Sequence, residues 1–108
     1  MPSYRSIMTV GAVRAGHDPR EVEAAARSAV RLESWDIAVV SGQPRATARF
    51  AAADDDEARA SHAAILTGVR RVAAVPGAVL AAVVRGRSRP IASAPADVPP
   101  AGLTPGRS

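Results

Sequence analysis

The sequence predicts an α+β domain of the ferredoxin-like type: a four-stranded antiparallel sheet with two helices on one face, followed by a disordered tail. Two segments open with helix-capping acids and then carry an apolar stripe at helical spacing. Each lies between β-prone segments, which gives the order β-α-β-β-α-β. Beyond Arg89 the pattern dissolves into Pro, Ala, Ser and Gly, and five of the nine prolines fall there. The expected organisation is therefore one domain over residues 1–89 and a Pro/Ala/Ser-rich disordered tail over residues 90–108.

The first strand is expected over Tyr4 to Val13, with Ile7, Met8, Val10 and Val13 on both parities as in a strand covered on two faces. A loop through Arg14, Gly16 and His17 leads to the first helix. Asp18 is its expected N-cap, Pro19 its first position and Glu21 the partner in a capping box. Val22, Ala25, Ala26, Ala29 and Val30 then fall on one stripe. The second strand is read over Trp35 to Val40, and Ser41-Gly42-Gln43-Pro44 is a turn signal. Arg45 to Ala52 alternates, with Ala46, Ala48, Phe50 and Ala52 on one face and Arg45, Thr47 and Arg49 on the other. The two strands are expected to pair as an antiparallel hairpin.

Asp54 caps the second helix, with Glu57 three residues on and acids in the first turn, where the helix dipole favours them. Ala58, Ser61, Ile65, Leu66, Val69 and Val72 form its buried stripe. Gly68 interrupts it at a cost of about 1 kcal/mol relative to Ala. After Pro76-Gly77 the fourth strand runs over Ala78 to Val84 and is apolar on both parities. In the expected topology it lies at the sheet edge, where such a strand needs a cover. A second copy of the chain is the expected cover, through Val79, Leu80, Val83, Val84, Arg45, Thr47 and Arg49.

Composition narrows the function. The net charge is +4, and every basic side chain is Arg, a bias expected of a GC-rich bacterial genome. Residues 1–84 hold ten Arg against nine acids, so the basic excess belongs mostly to the tail. A nucleic-acid-binding domain would carry its excess on the folded part. There is no Cys, hence no disulfide, thiolate nucleophile or Cys-based zinc site. Without an apolar run of transmembrane length or a signal peptide, a cytoplasmic protein is expected. About half of the apolar residues are Ala, so the core is thin and a second subunit is the simplest supplement.

The candidate sites are sparse. Arg14 and His17, beside the first helix N-terminus, are candidates for an anion site. His62, on the apolar stripe of the second helix, is the candidate general base, with His17 second. Trp35 and Phe50, with Tyr4, are candidate lining for a pocket between helices and sheet. The run from Asp54 to Glu57 lacks the spacing of a calcium loop, and no metal or cofactor is expected. Small metal carriers, amino-acid-sensing domains, acyl-phosphate hydrolases and dimeric α+β-barrel monooxygenases share the topology, but their motifs are missing and no family is assigned. The expected function is a non-enzymatic, self-associating interaction or regulatory module, a homo-oligomer with scope for a further protein partner. The alternatives are a small-molecule enzyme or binder of the dimeric α+β-barrel type, and weak nucleic-acid binding through Arg45, Arg49 and the tail.

Overall fold

The computed structural model describes residues 1–91. Seven elements follow one another: β1 (Ser3–Thr9), α1 (Glu21–Ala29), β2 (Ser34–Val40), β3 (Gln43–Ala51), α2 (Asp55–Arg70), β4 (Gly77–Val84) and β5 (Arg87–Pro90). The strands form one antiparallel sheet in the order β2-β3-β1-β4-β5. The described residues thus form an α+β domain with five strands and two helices, one strand more than expected. Residues 92–108 of the expected tail lie outside the described residues.

The added strand moves an edge. Arg85 and Gly86 both adopt positive φ, at 51° and 79°, and make a two-residue turn that folds Arg87–Pro90 back onto β4. β4 therefore lies between β1 and β5 rather than at the sheet edge, which corrects the expected placement of the apolar fourth strand. Ser41 and Gly42 make the same kind of turn between β2 and β3, so Pro44 belongs to the strand. Its missing N–H costs the hairpin nothing, because the Pro44 backbone turns toward β1, where its carbonyl accepts from Val10 N–H at 3.0 Å.

Register sorts the side chains into two faces. Tyr4, Ser6 and Met8 of β1 stand opposite Phe50, Ala48 and Ala46 of β3. Together with Leu80 and Ala82 of β4 they meet Val22 and Ala26 of α1 and Ala58, Ile65 and Val69 of α2 in the core. Arg5, Ile7, Arg45, Thr47, Arg49, Val79, Ala81 and Val83 have the opposite parity and belong to the face without helices.

α2 begins as its acids dictate, whereas the N-cap of α1 is Arg20, without a side-chain capping bond, and not Asp18 as expected. Asp54 Oδ1 accepts from Glu57 N–H at 2.8 Å, and Glu57 Oε1 accepts from Ala53 N–H at 2.8 Å. Before α1, Glu21 Oε2 accepts from Asp18 N–H at 2.6 Å and Asp18 Oδ1 accepts from Arg20 N–H at 2.8 Å. A turn over Asp18–Glu21 precedes the regular helix, which starts two residues later than the sequence suggests.

Gly68 has a packing reason. A Cβ at this position would lie 3.1 Å from the Ala25 carbonyl oxygen and 3.7 Å from Ala29 Cβ, so the glycine sets how closely α2 approaches α1. Gly68→Leu is expected to lower stability by about 2 kcal/mol in urea unfolding, despite its better helix propensity, because α1 must move away.

Candidate functional site

Two polar contacts cross the core. On β1, Ser6 is fully buried and its Oγ lies 2.6 Å from Nδ1 of His62, which α2 holds over the sheet. Desolvation, with a smaller contribution from the positive charge of Arg70, pushes the imidazole below its ordinary value of 6.5. The ring nitrogen and the Ser6 hydroxyl share one hydrogen bond, whose direction follows the imidazole tautomer. The pair satisfies a buried hydroxyl in an apolar core. A nucleophile must reach its substrate, and Ser6 is fully buried under α2, while His62 is only partly buried.

The proton that folded His62 refuses gives a pH signature. Below about pH 6.5 the unfolded chain takes up a proton that the folded state does not. Stability from this group is complete above pH 6.5 and falls as the pH drops toward the lowered folded value. His62→Gln is expected to flatten the decline below about pH 6.5 in denaturant titrations.

Tyr4 stacks on Phe50 at 6.0 Å between ring centroids and donates its hydroxyl to Asp55 Oδ1 at 2.8 Å. Burial, then the Asp55 hydrogen bond, raises the phenol above its ordinary value. Phe50 and Tyr4 are core residues, and Trp35 on β2 packs partly buried against the same core.

The entry to α1 is already occupied by carboxylates. Arg14 donates from Nε to the Arg70 carbonyl at 2.6 Å and thereby closes the C-terminal end of α2. His17 Nδ1 lies 3.0 Å from Glu21 Oε1. That contact, with the Asp18 N–H bond, holds the Glu21 carboxyl below its usual range, and the Arg20 contacts do the same for Asp18. His17 and Arg71 line an open groove of ≈ 530 Å³ together with Ala25, Ala29, Ala64 and Gly68. Neither His62 nor Phe50 contributes to it. Among the described residues no group of His, Asp and Glu could hold a metal ion. No helix among them is long and apolar enough to cross a membrane.

The outer surfaces carry more information. Arg5, Ile7, Ser34, Asp36, Arg45, Thr47, Arg49 and Ser88 line a depression of ≈ 430 Å³ on the open sheet face. Of the expected interface residues, Arg45, Thr47, Arg49, Val79 and Val83 lie on this face. Leu80 is buried in the core, and Val84, at the end of β4, is exposed on the other side. One of the sheet's two edge strands is β2, whose Ile37 is 55% and Val39 73% exposed. Sequence reasoning did not single out these two, nor Ser6 or Arg5. The run Trp35-Asp-Ile-Ala-Val-Val, almost without charge, was the available signal for the first two.

Comparison with known protein families, characterised proteins and solved structures finds no match for this chain.

Proposed function

We propose that this chain is a non-enzymatic, self-associating module whose two copies pair edge to edge through β2, within a ferredoxin-like arrangement extended by β5. The observation that carries the reading is the unequal protection of the two sheet edges. β5 is four residues long and carries Arg87, Arg89 and Pro90, the features that discourage strand addition. β2 is seven residues long, has Asp36 as its one charge, and leaves Ile37, Val39 and Val40 exposed.

Backbone direction supports the same partner. Because Pro44 turns its backbone to β1, Val39 opposite it turns its own N–H and C=O away from β3. Alternation extends this to Ile37 and Trp35. Antiparallel pairing of two copies about Ile37 then sets Ile37 against Ile37 and Trp35 against Val39, with six main-chain hydrogen bonds between the chains. Asp36 falls opposite Ala38, so no like charges meet.

Stacking the open faces is the poorer alternative, since Arg5, Arg45 and Arg49 of one copy would be buried against the same residues of the other. Light scattering at micromolar concentration tests the reading. A mass of about twice the 11.1 kDa chain is the expected result, and a monomer there overturns it.

A further inference from the structure

We infer that the open sheet face is a binding site for a small phosphorylated molecule with an apolar body, held by Arg5, Arg45 and Arg49. Two independent features point to it. The first is an unfavourable arrangement that the fold does not need. Arg5 and Arg49 are direct cross-strand partners on adjacent central strands, where like charges destabilise the pair. Arg5 donates to Ser88 Oγ at 2.7 Å, and Arg49 Nε reaches Glu33 Oε1 at 3.2 Å from the rim. Arg45 has no hydrogen-bonded or ionic partner among the described residues. Asp36 is the one carboxylate in the lining, and it bonds to none of the three.

The second feature is shape. The depression of ≈ 430 Å³ shares Ile7 and Arg45 with a neighbouring one of ≈ 260 Å³, walled by Gly77, Ala78 and Val79. A cationic floor with hydroxyls at Thr47, Ser34 and Ser88 thus continues into an apolar shelf. Guanidinium forks match phosphate oxygens, and a dianion lying across Arg5 and Arg49 removes their mutual repulsion. The face offers no aromatic ring for a base to stack on, which disfavours single-stranded nucleic acid. Pairing through β2 leaves this face open, so the inference stands apart from the self-association reading.

Calorimetric titration of the full chain with phenyl phosphate, inorganic phosphate and benzoate tests it. Saturable binding is expected for phenyl phosphate, weaker for inorganic phosphate and weakest for benzoate. Arg45→Gln is expected to weaken phenyl phosphate binding about tenfold or more while leaving the ligand-free melting temperature unchanged. Val79→Asp is expected to remove the advantage of phenyl phosphate over inorganic phosphate, and Arg31→Gln, outside the lining, to change nothing. No saturation at millimolar phenyl phosphate overturns the inference. So does equal binding by Arg45→Gln, or a preference for a single-stranded oligonucleotide. Light scattering on the same samples reports the association state separately.

Discussion

Phe50→Ala is expected to lower stability by about 4 kcal/mol, a large share of the total for a small domain. Phe50 is the largest fully buried side chain, and Tyr4 is stacked against it. Around them the core consists mostly of Ala and Val, with Met8, Ile65 and Leu80 as the other sizeable members. Small neighbours on a rigid sheet cannot move in to fill the space left by a phenyl ring, so the substitution keeps its full cavity cost. The ring contact with Tyr4 is lost as well, and the Tyr4–Asp55 hydrogen bond loses the surface that orients it. Urea unfolding followed by far-ultraviolet circular dichroism checks the result. A loss below about 1 kcal/mol would mean that Phe50 does not anchor this core.

The second large effect concerns assembly. Ile37→Lys is expected to weaken the dimer about 100-fold, because it removes two apolar side chains from the two-fold axis and sets two ammonium groups opposite each other. Ile37→Glu is expected to do the same for the opposite sign. Mixing the two variants is expected to restore a 1:1 heterodimer, since the lysine then faces the glutamate. Sedimentation velocity of each variant and of the mixture reads all three outcomes. Two monomeric variants that stay apart when mixed would rule out pairing about Ile37. Variants that remain dimeric would place the contact elsewhere.

Much of the fold was legible because the chain announces it locally. The start of α2 follows from acids three residues apart, whereas α1 starts two residues past its expected position, and the alternation from Ala46 to Ala52 gives the face and register of β3. β5 was missed because Arg-Gly is a poor advertisement for a turn that usually uses Asn-Gly or Asp-Gly, and because Arg87-Ser-Arg-Pro has no apolar periodicity. That omission misplaced the edge. The apolar character of Val79, Ala81 and Val83 was visible in the sequence, but which strand lacks a neighbour is a property of the whole sheet. The Ser6–His62 contact joins residues 56 positions apart, and nothing local announces it. Gly68 looked like a defect for the same reason, since its partner carbonyl belongs to Ala25 on the other helix.

The two margins of the sheet also bear on stoichiometry. If both were open, head-to-tail addition of one chain's margin to the other margin of the next would continue without limit and yield fibrils. In the proposed pairing the guanidiniums and the proline of Arg87–Pro90 discourage addition at one of the two, and the strand Ser34–Val40 would meet its own counterpart. Such a union would use up the one unprotected margin among the described residues, and growth would stop at two.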